Sequence, residues 1–331
     1  MKSLLFIMNP TAGKTQVKDY LFDIIQAFSE ANYRVTVFPT QKRMDARNIV
    51  ISEGNKYDVI VCAGGDGTLD EVASGYMLSD CKVPLGYIPA GSTNDFARSL
   101  GIPLEPLAAV TNIITGIPVP VDVGGLRDPE HPESVHIPSS ASESIPWIKK
   151  DHSSLVPVTP KVAEEYFIYI AAFGAFTELS YSTDQQFKNM FGHAAYILNA
   201  ATSLSRNLIP YEATFEYGDT VITDTFVYAM ITNSLSVGGL RNVILSDDIQ
   251  FDDGEFECLL IKMPKTPVEL QTILNSLLVS EVNDKYMYCF KAKEVKISSK
   301  EDIPWVRDGE FGGNHKQVII TNHQKKLPIF R

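Results

Sequence analysis

No stretch of this 331-residue sequence is long and apolar enough to span a bilayer. The longest apolar run, Tyr166 to Phe176, falls well short of the roughly 20 residues a membrane helix needs. Nor is a leader expected at the amino terminus: Met1-Lys2 opens a short apolar run that soon meets Asn9-Pro10, a strand pattern rather than a signal segment. Positive charge is in deficit. Twenty-nine Lys and Arg face 40 Asp and Glu, a net charge of −11. That balance argues against a nucleic-acid partner and against broad attraction to anionic lipid, while leaving room for a local basic patch. Cysteine is scarce. Cys62, Cys81, Cys258 and Cys289 are scattered without a CxxC pair, which argues against a zinc site; Cys62 and Cys258 sit in apolar segments and read as reduced core residues of a cytosolic protein. The six histidines show no ligand spacing, and no internal repeat is visible. What remains is a chain of ordinary apolar content, 44% hydrophobic, long enough for two domains.

The first third alternates strand and helix. Leu4 to Met8, Arg34 to Phe38, Val59 to Ala63, Leu85 to Ile88 and Val119 to Val123 read as strands. Val17, Leu21, Ile24, Ile25 and Phe28 recur at helical spacing, Ala46 to Ser52 forms another helix, and Leu107 to Thr115 a further one ended by Gly116. Regular alternation of this kind predicts a parallel sheet with helices on both faces. The texture then changes. Residues 126 to 164 hold Pro129, Pro132, Pro138, Pro146, Pro157 and Pro160 among serines and charges, and no period survives. The segment reads as a long insertion or linker with disordered character. From Tyr166 onward strand-like runs dominate: Tyr166 to Phe173, Tyr211 to Tyr217, Val221 to Ile231, Phe256 to Met263, Tyr286 to Phe290 and Val295 to Ser298. Helical patterns at Ala194 to Leu204 and Val268 to Leu278 interrupt them, and Val318 to Thr321 and Leu327 to Phe330 close the chain. This predicts a second, mainly antiparallel β-sandwich domain. The expected boundaries are 1–124 for an α/β domain, 125–165 for the insertion and 166–314 for the β domain, with the tail 315–331 open to either domain, a return to the first being one reading.

Three turns carry chemistry, each at the carboxyl end of a predicted strand, where open α/β folds bind ligands. Asn9-Pro10-Thr11-Ala12-Gly13-Lys14 is the first. It is not a Walker A loop, because Met8 stands where that motif needs its leading glycine. Gly64-Gly65-Asp66-Gly67-Thr68 is the second, continued by Leu69-Asp70-Glu71; it fails the dinucleotide pattern at Asp70. Glycines let a backbone approach a bulky anion, and a carboxylate among them makes sense when a metal ion lies between it and phosphates. Thr68 and Glu71 fit a capping box, so a helix is expected to start here. Pro89-Ala90-Gly91-Ser92-Thr93-Asn94-Asp95-Phe96-Ala97 is the third, with hydroxyls on Ser92 and Thr93 for phosphate and a helix beginning near Asn94.

Together the three turns resemble the diacylglycerol-kinase catalytic-domain family, and within it the bacterial lipid-kinase branch related to sphingosine and ceramide kinases. The resemblance implies a three-layer nucleotide-binding domain plus a β-sandwich domain, with an active site in the cleft between them. It implies transfer of the γ-phosphoryl of ATP to a lipid hydroxyl, with Mg2+. By matching position, Asn9, Pro10, Thr11, Ala12, Gly13, Thr40, Gly64, Gly65, Asp66, Gly67, Thr68, Leu69, Asp70, Ser92 and Thr93 are the implied nucleotide contacts. Asp66 is the implied magnesium handle, and Asp122 an acid of the same metal network. Asp252-Asp253-Gly254 resembles a structural magnesium loop, with Asp253 ligating by side chain and Gln250 and Glu255 by carbonyl; an Asp-Gly hairpin turn reads equally well. Asp308-Gly309-Glu310 supplies the implied general base, with Asp308 and Glu310 both candidates, because a lipid alcohol must lose its proton as the phosphate arrives.

The chain departs from the family at Asp70, where Asn is usual, at Ser92 in place of Thr, in the length of the 126–164 segment, and at Gly312-Gly313, which follows the base segment and would loosen it. The expected partners are ATP and a membrane lipid such as diacylglycerol, met by peripheral contact, from a cytoplasmic protein transiently at the membrane surface; a homodimer is left open. A kinase for a soluble acceptor, as in NAD kinases, and a nucleotide-binding regulator without transfer are the rival readings.

Overall fold

The structure is a computed structural model, and it describes residues 1–13, 17–130, 164–175, 208–233, 236–237, 240–241, 250–279 and 281–331. The chain divides into two compact units. The first holds Met1–Val123, residues 164–168 and Gln324–Arg331; the second holds residues 124–130 and the described part of Tyr169–His323.

In the first unit, β1 (Lys2–Met8), β2 (Tyr33–Pro39), β3 (Val59–Gly64) and β4 (Leu85–Pro89) lie parallel in the order β2-β1-β3-β4. Ile329, near the chain end, pairs parallel with Leu85. Every residue of β3 and β4 is buried, as runs covered on both faces must be. The helices are α1 (Leu21–Glu30), α2 (Asp45–Glu53), α3 (Asp66–Ser79), α4 (Asp95–Leu100) and α5 (Pro106–Thr115). On one face of the sheet Leu4, Phe6, Val59 and Val61 form a core with Ile24 and Phe28 of α1 and Ala109, Val110 and Ile113 of α5. Helices α2 and α3 pack closely at Gly75, where a Cβ would come within 2.7 Å of the Val50 side chain. Helix α5 starts sharply because the Glu105 carboxylate accepts from the Leu107 and Ala108 N–H groups, with Pro106 at the first position. The chain continues through β5 (Pro118–Arg127) and β6 (Glu165–Phe167).

In the second unit the ladders between β7 (Ile170–Gly174), β8 (Tyr211–Tyr217), β9 (Thr220–Thr232), β12 (Phe256–Lys262), β13 (Met287–Ala292) and β14 (Glu294–Arg307) are antiparallel. So is the ladder of β14 with β15 (Glu310–Phe330). A two-residue pair, β10 (Ser236–Val237) and β11 (Leu240–Arg241), stands apart, and α6 (Pro267–Leu278) follows β12. Strands β9 and β14 are long, and each pairs with both β7 and β8. Their inner residues build an aromatic core in which Trp305 and Phe173 meet edge to face at 5.0 Å, with Phe215 and Phe226 continuing the stack.

Several expectations are corrected. The Tyr166 to Phe173 strand is broken into β6 and β7, because Tyr169 and Ile170 turn their N–H groups to the Asp308 carboxylate. The two tail strands are one continuous β15, which carries a left-handed Lys325 (φ 58) within it; its polar middle hid it from a hydrophobicity reading. The Thr68–Glu71 capping box does not form. Helix α3 starts earlier, at Asp66, with Gly65 as an N-cap that has no side-chain bond, and both residues are spent on neighbouring elements. The helical pattern at Ala194 to Leu204 lies outside the described residues.

Candidate active site

Glycine makes the three turns of the first unit one surface. Gly13 is left-handed (φ +57), and a Cβ there would lie 2.0 Å from the Ala90 carbonyl oxygen. A Cβ on Gly91 would lie 2.8 Å from the Gly65 Cα. The first turn therefore touches the third, and the third touches the second, at contacts no other residue permits. Hydrogen bonds close the assembly. Asn9 N–H donates to Ala63 O at 2.9 Å, and Ala90 N–H to Gly64 O at 2.7 Å. The Asn9 amide donates to Thr68 Oγ1 at 3.1 Å. Asn9 Oδ1 accepts from both the N–H and the hydroxyl of Thr11, so the first turn is held by its own side chain. Thr40 N–H donates to Met8 O at 2.8 Å, which sets the end of β2 beside the same rim.

Asp66 is the charged centre of this surface. Its Oδ2 accepts from the Asp95 N–H at 3.1 Å and the Thr93 hydroxyl at 3.3 Å, so the second turn's carboxylate caps α4 of the third turn. Its Oδ1 is buried and has no hydrogen-bond partner among the described residues. Burial, reinforced by the nearby Asp95 carboxylate, pushes the Asp66 carboxyl up to about 6. A half-buried carboxylate with one oxygen fixed and the other bare fits a hard cation. Asn94, itself left-handed (φ 51), locks the third turn through a bond from Gly91 N–H at 2.8 Å and one to Gly91 O at 3.1 Å. Ser92 and Gly67 are exposed on the rim, Leu69 is core, and Pro10, Ala12 and Asp70 are half-buried.

Glu71, which the sequence reading put in a capping box, caps α2 instead. Its carboxylate accepts from Ala46 N–H at 3.2 Å and is bonded by the Met44 amide as well. Burial nonetheless pushes it up to about 7. A folded-state value above the ordinary 4.5 means the protonated form is the stabilising one. That stability is complete below about pH 4.5 and is lost as pH rises through about 7. Glu71→Gln should therefore be more stable than the parent by about 3 kcal/mol at alkaline pH and nearly equal to it in acid. Urea midpoints at both ends of that window check this; the same difference at both would contradict it.

The remaining acids are placed differently. Asp122 is fully buried, and its Oδ1 accepts from the N–H of left-handed Lys325 at 2.7 Å. Asp253 Oδ1 accepts from Glu255 N–H at 3.0 Å, closing a turn at left-handed Gly254 (φ +84). Its Oδ2 lies 3.4 Å from the Lys291 ammonium, which also stands 3.0 Å from buried Glu257. Gln250 and Glu255 are exposed. The Asp253 carboxylate thus has a cation of its own chain beside it. Among the described residues, no group of three or more His, Cys, Asp or Glu gathers to hold a metal.

Asp308-Gly309 forms a two-residue hairpin between Arg307 and Glu310, both central residues having positive φ (47 and 82). Asp308 is buried and turned inward. Its Oδ1 accepts from Tyr169 and Ile170 N–H at 3.1 and 2.9 Å, and its own N–H donates to Ile170 O at 2.9 Å. Glu310, two residues on, is only half-buried at the start of β15. Among the described residues, no helix is long and apolar enough to cross a membrane.

Glycine turns at the carboxyl rim of a parallel sheet, joined to a second antiparallel unit, match a known class. Residues 3–126 fit the model of the diacylglycerol kinase catalytic domain, so the chain is an enzyme of the lipid-kinase class. Along its length it resembles the diacylglycerol kinase of Bacillus subtilis (strain 168), at 31% identity over 315 residues, 95% of this chain and 91% of that protein. It also resembles the diacylglycerol kinase of Staphylococcus carnosus (strain TM300), at 30% identity over 317 residues, 94% of this chain and 90% of that protein. A crystal structure of a diacylglycerol kinase from Bacillus anthracis str. Sterne shares the fold, with a TM-score of 0.70 at 19% identity over 99% of this chain and 96% of that one. The chain belongs to the diacylglycerol kinase family, in its bacterial branch.

Proposed function

We propose that this protein transfers the γ-phosphoryl group of ATP to a hydroxyl of a membrane lipid of the diacylglycerol type, with Mg2+. The observation that carries this is the packing of the three turns into one rim around the bare, buried Oδ1 of Asp66. The three turns and the first turn of α3 would orient the phosphates. Asp66 holds the magnesium ion, and Asp95 orients Asp66 through its backbone N–H. Bound there, the ion would neutralise phosphate charge. Asp122, and the loop of Asp253 with the carbonyls of Gln250 and Glu255, remain proposed metal ligands by resemblance; Asp122 Oδ1 also accepts from Lys325 N–H and Asp253 Oδ2 lies beside Lys291.

Of the two candidate bases, Glu310 is the one we assign. Asp308 accepts two backbone N–H bonds on one oxygen and is buried, which suits an anchor for the hairpin. Glu310 is only half-buried at the start of β15, a position that suits proton exchange with an arriving hydroxyl. The test is the lipid dependence of turnover. ADP release should rise when vesicles containing diacylglycerol are added to protein, ATP and magnesium. Stimulation by NAD or another soluble alcohol, with none by vesicles, would make the acceptor soluble and overturn the lipid assignment.

A further inference from the structure

Strands β14 and β15 lose register just beyond the Asp308–Glu310 hairpin. Val306 pairs with Phe311, and Pro304 with Asn314, so the single residue Trp305 faces both Gly312 and Gly313. This is a β-bulge, and Gly313 adopts the left-handed backbone (φ +97) that bulges of this kind use. A bulge leaves backbone groups without a ladder partner. Read from sequence, two adjacent glycines here would loosen the base segment.

The structure supplies a counterpart. His315 Nε2 lies 2.9 Å from the Gly312 carbonyl oxygen, and Nδ1 lies 2.7 Å from Asp128 Oδ2. Both side chains are almost buried, at 10% and 5% exposure. Both partners are acceptors, so the two bonds are made together only when both ring nitrogens carry protons. Asp128 is itself oriented, since its Oδ1 accepts from Glu130 N–H at 2.8 Å, and Glu130 is tied to Gln317 of β15 at 2.9 Å. Side chains thus brace the bulge from outside the hairpin. The fit is close: a Cβ on Gly313 would lie 2.5 Å from His315 Nε2.

We infer that His315, held by Asp128, is a positioning residue for phosphoryl transfer: it clamps the Gly312 carbonyl and so fixes the bulged arm that carries Glu310. The inference rests on the kinase reading above and on Glu310 as its base. The ring bonds of His315 go to Gly312 and Asp128, both in the second unit, so its loss should act on kcat and leave the KM for ATP alone.

The test compares His315→Leu, His315→Gln and His315→Asn with the parent. The leucine variant should lose kcat on the order of tenfold to a hundredfold, with an unchanged KM for ATP and faster amide exchange across 309–313. Glutamine can still donate toward Gly312 and should recover more activity than asparagine, which reaches only toward Asp128. Unchanged kcat in a folded leucine variant would overturn the inference, as would equal recovery by the two amides. If the leucine variant does not fold, nitrogen-labelled histidine in the intact protein decides: two protected ring N–H signals for His315 are expected, and a single one would overturn the double clamp. Should the parent itself transfer no phosphoryl group, the kinase reading fails; amide exchange and the ring signals then still report whether the clamp exists.

Discussion

Asp66→Asn should abolish phosphoryl transfer, by a factor on the order of a thousand or more, while the protein stays folded. The two halves of this result have separate causes. Asparagine keeps an oxygen in place to accept from the Asp95 N–H, so α4 remains capped. It removes the negative charge from an oxygen that has no hydrogen-bond partner among the described residues and that the proposed mechanism gives to magnesium. Burial already disfavours the charge, pushing this carboxyl up to about 6, so neutralising it should not destabilise the fold and is expected to raise its thermal midpoint. Magnesium with ATP should stabilise the parent against heat and leave the variant unmoved. A variant with near-parental rates would remove Asp66 from the mechanism. A variant that is inactive because it has unfolded would mean the cap, not the cation, is what the residue provides.

Glu310→Gln and Asp308→Ala should fail in different ways. The first is expected to lower kcat on the order of a hundredfold to ten-thousandfold, the range of general-base catalysis, with ATP binding and stability little changed. The second withdraws the acceptor for two buried N–H groups, Tyr169 and Ile170, at a cost of about 2 kcal/mol or more. Alanine is also a poor fit to the positive φ of 47 at that position. Its urea midpoint should fall, and any loss of activity should track that fall. If Asp308→Ala is stable and dead while Glu310→Gln is active, the roles are reversed.

These distinctions show where the sequence was legible. Strand and helix alternation in the first unit is written in hydrophobic period, and β1 to β4 lie close to where their apolar runs put them. The three turns could be found because strand, glycine and helix start follow one another within each. Their contact could not be read, since the approach of Gly65 to Gly91 and of Gly13 to Ala90 depends on strand order. Glu71 shows the limit of a local motif: its spacing from Thr68 is that of a capping box, yet the neighbouring helix α2 offered unsatisfied N–H groups and took the carboxylate. The choice between Asp308 and Glu310 was closed to sequence for a similar reason. The long-range bonds from Tyr169 and Ile170 to Asp308 are what favour Glu310 in the proposal. His315 gave no signal at all. It matches no metal spacing, and its partner Asp128 is 187 positions away in the chain.

The measurement that bears most directly on the account is the fate of the γ-phosphate. The protein would be incubated with γ-labelled ATP, magnesium and vesicles made from a total lipid extract, and the lipids separated afterwards. The account predicts label in a lipid phosphate, dependent on magnesium and absent with Asp66→Asn. A parent protein that binds ATP but labels no lipid would contradict it.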